Sequence, residues 1–342
     1  MKALNLHGIN NLVYEEVETP KLKNGEVLLK IKASGICSSD IERVFINGTY
    51  HFPTIPGHEF SGEIVQVADD VDKNLIGRRS SVFPLLPCFQ CEACKNKEYA
   101  ICSNYKYFGS RNDGGFAEYL AVPVFNLVLF DDSVPYEVGA LCEPAAVALH
   151  AVNIGNIKKG QKVAIMGTGT IGILIGAFAQ IKGAYVYMCG RRKESLDFVS
   201  SFGLKTININ NLKEEIDQAT DGLRMDVTFE AVGTNLSMEN AIMSTKSGGT
   251  VVAMGNPKED FALPRDVYWK ILRWQLTVKG TWNSFYNDDE NDWKEVTELM
   301  KKGGFPFEKL ISKTFTMKDY KEAFEYVKDK SISKSKVMFV ID

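Results

Sequence analysis

The stretch QKVAIMGTGTIGILIGAFAQIKGAYVYMCG, residues 161–190, decides the fold class. It contains an apolar run of strand length, a glycine-rich turn, a mostly apolar helix and a second apolar run, which is the order of a βαβ unit. Glycines in the turn let the chain bend tightly, approach a pyrophosphate, and pack helix against strand. Amides at the helix N-terminus then hold phosphate charge. We therefore predict a dinucleotide site formed by Gly167, Gly169, Thr170, Ile171 and Gly172.

The end of the second run carries arginines where a carboxylate is usual. Enzymes that bind NAD usually place Asp or Glu there, to bind the ribose 2′-hydroxyl. This chain has Cys189-Gly190-Arg191-Arg192 and no carboxylate until Glu194. Glycine makes room for a 2′-phosphate, and two guanidinium groups can pair with it. We expect NADP, bound by Gly190, Arg191 and Arg192. If the arginines only form a solvated turn, the cofactor is NAD.

The pattern of predicted strands and helices differs between two parts of the chain, which we predict to be two domains. Residues 149–285 alternate strands with helices, which implies an α/β fold with a doubly wound parallel sheet of Rossmann type. Residues 1–148 consist of short strands broken by turns, which predicts a β-barrel. Residues 286–342 carry two amphipathic helices and a final strand, and we expect them to pack on the barrel.

Four cysteines interrupt the predicted barrel, at Cys88, Cys91, Cys94 and Cys102. Four thiolates complete a closed tetrahedral zinc site, and two-residue gaps suit an ion better than unstrained disulfides. We therefore predict a structural zinc in a lobe over residues 84–106, approximately. A closed site leaves no position for substrate, so the reaction must take place elsewhere.

A second, mixed set of metal-binding side chains comprises Cys37, the pair His58 and Glu59, and Glu143 in Cys142-Glu143-Pro144. Sulfur, nitrogen and oxygen donors together are typical of a catalytic zinc with an open position. His58 by itself would more often be a surface histidine. Together with a dinucleotide fold and a cysteine lobe, the set predicts a catalytic zinc in addition to the structural one.

The motifs GHEFSGEIVQVA, DGGFAEYLAVP, Cys-Glu-Pro and GTGTIG, with the cysteine lobe after the first, resemble the zinc-dependent medium-chain dehydrogenases along the whole chain. The resemblance implies a GroES-like catalytic domain with a Rossmann domain, and a homodimer or homotetramer built by edge pairing of Rossmann sheets. Within the family the chain is similar to the polyol branch. This similarity to the polyol branch implies hydride transfer between a nicotinamide cofactor and a secondary alcohol of a polyol or polyol phosphate.

The resemblance also implies roles for individual residues. The catalytic ligands fall on Cys37, His58 and a glutamate, either Glu59 or Glu143 depending on the bound state. Ser39 matches the position whose hydroxyl passes on the alcohol proton. Glu42 stands where classical alcohol dehydrogenases often have a histidine, so the onward proton path is not indicated. Arg111 is the candidate anchor for a substrate phosphate, and an ordinary structural arginine is the alternative.

Composition excludes several classes of function. A formal charge of −3 and a pI near 5.9 give no basic footprint for nucleic acid or a membrane surface. No run approaches the 18 or so apolar residues of a membrane span. Seven cysteines without an export signal suggest reduced thiols in a cytoplasm.

The alternatives to a polyol phosphate dehydrogenase are a sorbitol (L-iditol) type, a simple alcohol dehydrogenase, and a non-catalytic nucleotide sensor of the same fold.

Overall fold

A computed structural model describes residues 1–342, and contacts within it divide the chain into two units. The first unit comprises residues 1–146 and 285–342, and the second comprises residues 147–284. Strands and helices are numbered along the chain below. None of the helices combines the length and the apolar character that crossing a membrane requires.

The first unit is built mainly of strands: β1 (Lys2–Leu6), β2 (Leu12–Glu16), β3 (Glu26–Ile36), β4 (Glu59–Val67), β5 (Arg79–Val82), β6 (Leu85–Leu86), β7 (Lys106–Tyr107), β8 (Tyr119–Pro123), β9 (Leu127–Leu129), β16 (Ile311–Phe315) and β17 (Lys336–Val340). Its helices are α1 (Ser38–Glu42), α2 (Glu92–Lys95), α3 (Tyr136–Gly139), α10 (Asp292–Lys302) and α11 (Tyr320–Lys328). A π-helical segment, Arg43–Asn47, continues α1. Helix α4 (Cys142–Ile154) begins in this unit and ends in the second.

Strand β3 organises the first unit, because it pairs antiparallel with β4, β8 and β17 in a seven-stranded sheet. Alternate apolar side chains of these strands pack on a fully buried aromatic group that includes Phe60, Phe116, Phe324 and Phe339. The rings of Phe116 and Phe339 meet edge to face, with centroids 5.1 Å apart. Such packing stabilises the paired ends of β3 and β4. The metal-binding candidates Cys37, His58 and Glu59 lie at these ends.

The second unit contains six strands, β10 (Lys162–Met166), β11 (Tyr185–Gly190), β12 (Lys205–Asn208), β13 (Met225–Glu230), β14 (Thr245–Ala253) and β15 (Thr277–Gly280). Its other helices are α5 (Thr170–Ile181), α6 (Lys193–Ser200), α7 (Leu212–Thr220), α8 (Asn235–Ser244) and α9 (Arg265–Arg273). All strand pairs are parallel, in the order β12-β11-β10-β13-β14-β15. This is the doubly wound Rossmann arrangement, so the predicted parallel sheet is confirmed.

Candidate catalytic metal centre and nucleotide site

Two antiparallel strands bring the catalytic metal candidates together. Gly35 near the end of β3 pairs with Glu59 at the start of β4. Cys37 follows β3, and His58 precedes β4, so the three side chains converge at one end of the strand pair. One donor atom from each of Cys37, His58 and Glu59 lies within 4.8 Å of the other two. The chemistry and spacing of these sulfur, nitrogen and oxygen donors fit a zinc ion.

Glu59 is held by a lysine from a distant part of the chain. Lys336, the first residue of β17, places Nζ 2.7 Å from Oε1 and 2.5 Å from Oε2 of Glu59. Both side chains are buried, and although burial lowers the pKa of Lys336, the charge of Glu59 raises it overall. A side chain on Gly35 would overlap the Glu59 carboxylate, which explains the glycine at that position.

Glu143 lies in the first turn of α4 and stands outside the three-donor cluster. The Tyr107 hydroxyl donates to its Oε1 at 3.2 Å. Burial raises the pKa of Glu143 to about 7, against the lowering effect of His58. In this conformation Glu59 belongs to the three-donor cluster, whereas Glu143 accepts a hydrogen bond from Tyr107.

Asp40, Arg43 and Ser39 form a hydrogen-bonded polar group next to His58. Asp40 is fully buried and accepts from the Cys37 backbone N–H at 3.0 Å and from Arg43 Nη1 at 3.0 Å. Its Oδ1 lies 3.4 Å from His58 Nδ1. Burial would raise the pKa of Asp40, but His58 and Arg43 together lower it to about 2. An ionised Asp40 can orient His58 so that its other ring nitrogen faces a metal.

The four cysteines of the lobe form a second donor cluster. All four Sγ atoms lie within 4.8 Å of one another, with Cys88 3.9 Å from Cys94 and Cys91 3.8 Å from Cys102. A tetrahedral zinc with Zn–S bonds of about 2.3 Å would space its sulfurs about 3.8 Å apart. No disulfide joins any of the seven cysteines of the chain. The lobe therefore fits a closed zinc site.

Arg111 is engaged with its own surroundings. Its guanidinium lies between the rings of Tyr50 and Tyr105, 4.3 Å from each centroid. Nη1 donates to the Tyr105 carbonyl oxygen at 2.8 Å, and Nη2 donates to the Tyr50 hydroxyl at 3.1 Å. These contacts tie the loop at Tyr50 to the segment after the lobe, which favours the structural alternative weighed for this residue.

In the second unit, the glycine turn connects β10 to α5. Gly167 has a φ of +130°, which side chains rarely adopt. A Cβ on Gly172 would overlap the Gly167 carbonyl oxygen, whereas a Cβ on Gly169 would meet nothing within 4 Å. Gly169 therefore borders open space at the N-terminus of α5, where Thr170 and Ile171 contribute the first amides. This is the geometry of a pyrophosphate site.

The residues predicted to select the cofactor lie at the end of β11. Gly190 is buried, and a Cβ there would crowd Thr168 and Leu196. Arg191 and Arg192 are exposed, and Arg192 occupies the N-cap position of α6 without a capping hydrogen bond from its side chain. Gly167 donates its N–H to the Cys189 carbonyl oxygen at 3.1 Å, which places the arginine pair next to the glycine turn.

Four residues of the metal centre were not identified from the sequence: Asp40, Arg43, Tyr107 and Lys336. Lys336 offered a signal, because a lysine within the apolar run KVMFVID must find an opposite charge if the strand is buried. Asp40 directly follows Ser39, but Asp is also common near helix starts. Arg43 and Tyr107 gave no local signal.

Comparison with known proteins supports the same organisation. Residues 23–132 match the alcohol dehydrogenase GroES-like domain, and residues 170–302 match the zinc-binding dehydrogenase family. Galactitol 1-phosphate 5-dehydrogenase of Escherichia coli K12 is 33% identical over 310 residues, 89% of this chain and 90% of that protein.

Solved structures superpose on the whole chain. The crystal structure of galactitol-1-phosphate dehydrogenase from Escherichia coli has a TM-score of 0.93 and 31% identity, and covers 99% of this chain and 100% of that one. A protein from Sinorhizobium meliloti 1021 described as a zinc-binding dehydrogenase, solved with NADP, has a TM-score of 0.90 and 26% identity, with 99% and 98% covered. The predicted pairing of a GroES-like and a Rossmann domain is confirmed. The protein belongs to the zinc-dependent medium-chain dehydrogenases, a family of alcohol and polyol oxidoreductases.

Proposed function

We propose that the protein transfers a hydride between a nicotinamide dinucleotide and a secondary alcohol of a polyol phosphate similar to galactitol 1-phosphate. The observation that carries the proposal is the donor set of partly buried Cys37 with buried His58 and Glu59, and the Ser39 hydroxyl two residues from Cys37. Similarity to galactitol 1-phosphate 5-dehydrogenase supports a phosphorylated polyol. A pure binding module has no need of an open metal position.

Cys37, His58 and Glu59 would hold the catalytic zinc, and Glu143 is the second carboxylate able to approach it. When bound, zinc supplies Lewis acidity, which makes a substrate alcohol easier to deprotonate. Ser39 would accept the alcohol proton at Oγ and release its own hydroxyl proton to solvent. Cys88, Cys91, Cys94 and Cys102 would hold the structural zinc.

NADP is the proposed cofactor, because Arg191 and Arg192 replace the carboxylate that would repel a 2′-phosphate. A double variant, Arg191→Ser with Arg192→Ser, tests this. It should lower the ratio of kcat/KM with NADP to kcat/KM with NAD by about 10- to 150-fold, the value of one charge-assisted contact. Gly190 is best left unchanged, since a side chain there would crowd Thr168. Wild-type preference for NAD would make the arginine pair a solvated turn.

A substrate panel separates the remaining candidates. Galactitol 1-phosphate, other polyol phosphates, galactitol, sorbitol and simple alcohols should each be assayed with NADP and NAD. The proposal expects the highest kcat/KM with a polyol phosphate. Preference for sorbitol or a simple alcohol would replace it with the corresponding dehydrogenase. Dinucleotide binding without turnover of any alcohol would indicate a sensor.

The edge strand β15 is the proposed site of assembly into a homodimer or homotetramer. It ends the parallel sheet; Val278 within it and Trp282 just after it are 45% and 58% exposed. An unpaired edge with apolar neighbours favours pairing with a second copy. Light scattering during size exclusion should find at least two chains per particle, and a monomer would reject this assembly.

The seven free cysteines support a reducing compartment such as the cytoplasm.

A further inference from the structure

Arg43 reaches three groups of the metal centre with a single nitrogen. Its Nη1 lies 3.1 Å from Ser39 Oγ, 3.0 Å from Asp40 Oδ1 and 3.3 Å from His58 Nδ1. Asp40 is fully buried, so its carboxylate provides a fixed partner. These contacts set both the position and the orientation of the planar guanidinium.

The other nitrogens of Arg43 have no partner in the protein. Nη1 makes the hydrogen bonds of this side chain, donating to Ser39 and Asp40, and it also lies 3.3 Å from His58 Nδ1, which is itself a donor when its proton faces Asp40. Nε and Nη2 are not among the fully buried polar atoms that lack a partner, and 21% of the side chain is exposed. These two nitrogens are therefore reached by solvent at least in part, although most of the side chain is buried. A guanidinium fixed in this way presents free donors in a fork that suits phosphate oxygens.

Two other cations of the first unit, Lys336 and Arg111, are already engaged. Lys336 is 7% exposed, and its Nζ is shared between the two oxygens of Glu59. Arg111 donates from both terminal nitrogens to Tyr105 and Tyr50, and its faces are covered by the two rings. Arg43 combines free donors with direct contact to Ser39, the proposed proton acceptor.

We infer that Arg43 is the anchor for the substrate phosphate, which Nε and Nη2 bind while the reacting hydroxyl lies at Ser39. This inference rests on the proposed function. In an extended polyol, a phosphate four carbons from the reacting hydroxyl lies about 6–8 Å from it, by ordinary bond lengths. Nη2 lies within about 5.5 Å of Ser39 Oγ, and one more hydrogen bond of about 2.9 Å spans the remaining distance.

The test compares galactitol 1-phosphate with galactitol in Arg43→Gln and Arg43→Lys. Replacing Arg43 also releases Ser39 and Asp40, so both substrates should lose kcat. The ratio of the two kcat/KM values cancels that shared loss. It should fall at least about 10-fold in Arg43→Gln, mainly through KM, as expected for one charge-assisted contact. Arg43→Lys keeps the positive charge but loses the paired N–H donors of the guanidinium. It should give a ratio of kcat/KM values between those of wild type and Arg43→Gln.

Two matched variants complete the kinetic experiment. Arg111→Gln removes the sequence-based candidate, and Arg78→Gln removes an exposed arginine of the same unit. Neither should change the ratio. Equal losses on both substrates in Arg43→Gln would reduce Arg43 to a residue that positions Ser39, and overturn the inference. A larger fall in Arg111→Gln would overturn it too.

Calorimetry separates this inference from the proposed function. Glycerol 1-phosphate and glycerol are titrated into the zinc-loaded chain, with zinc content measured in each variant. Wild type should bind the phosphate ester more tightly, and Arg43→Gln should lose that difference. If wild type oxidises no polyol, the proposed function fails, yet this titration still decides the role of Arg43. Equal binding of the two probes by wild type, or an unchanged difference in Arg43→Gln, overturns it.

Discussion

Among single residues, Lys336 and Glu59 form a buried ion pair within the candidate metal centre. Both Glu59 oxygens lie within hydrogen-bond distance of Lys336 Nζ, and the pair is buried. Lys336 neutralises a carboxylate that would otherwise be expensive to bury. It also holds the same oxygens that a metal would use. Binding of a metal by Glu59 would therefore require its carboxylate to give up at least part of its contact with Lys336.

The first prediction concerns this pair. Lys336→Met leaves Glu59 buried without its cation, and should lower the free energy of unfolding by about 3–5 kcal/mol. Adding Glu59→Leu to the same chain should recover much of that loss, because no isolated charge remains, while weakening binding of the catalytic zinc. Urea unfolding at equal zinc content measures both. Lys95→Met, on an exposed i,i+3 pair, is the control and should change little. Equal stability of Lys336→Met and wild type would contradict the argument.

The second prediction uses two glycines three residues apart. Gly172→Ala places a methyl group against the Gly167 carbonyl oxygen and should destabilise the turn. Gly169→Ala has space, so the chain should fold normally but bind dinucleotide more weakly, because the methyl group occupies the approach to the pyrophosphate. Thermal unfolding and fluorescence titration with NADPH measure the two effects. Undiminished NADPH binding by Gly169→Ala would place the pyrophosphate elsewhere.

At the scale of elements, the cysteine lobe is too small to have a core of its own. Its helix α2 has four residues, and β6 and β7 have two each. Such short elements are not stable alone, so we expect the lobe to depend on a bound metal and on neighbouring contacts. The rings of Phe89, Tyr99 and Phe125 pack edge to face, and Lys97 lies 3.1 Å from Asp288.

The third prediction contrasts the two metal sites. Cys91→Ser removes one ligand of the lobe and should lower both stability and activity, because structural zinc contributes directly to folding. Cys37→Ser should abolish turnover and leave the fold largely intact. Elemental analysis should find about two zinc ions per wild-type chain and about one in each variant. Full activity of a metal-free preparation would remove the basis for both sites.

Local sequence was sufficient for some elements and not for others. The Rossmann strands around the glycine turn were predictable because periodicity and turn residues lie within 30 residues of each other. Strand β12, with four residues and a polar sequence, gave no such pattern and was not predicted. Contacts of the metal centre depend on strand register. Lys336 meets Glu59 across 277 positions because β17 pairs with β3, and no local pattern encodes that pairing.

At the scale of the whole molecule, the proposed functions are divided between the two units. Both metal donor clusters consist of residues from the first unit, whereas the glycine turn and the arginine pair belong to the second. Each unit also has its own buried apolar cluster. Metal and dinucleotide should therefore stabilise different parts of the chain, since a ligand stabilises the structure that binds it.

The last prediction follows from this division. Removing zinc with a chelator should increase hydrogen exchange in the lobe and at the ends of β3 and β4, where the donors lie. Exchange in β10, β11 and β13 should stay close to that of the zinc-loaded protein, because these strands contribute no donor. NADPH should protect the turn at Gly167 in both states. The control is Cys91→Ser, in which the lobe should already exchange quickly before chelation. Loss of protection throughout β10 to β13 on chelation would show that the two units unfold as one, and that zinc stabilises the whole chain.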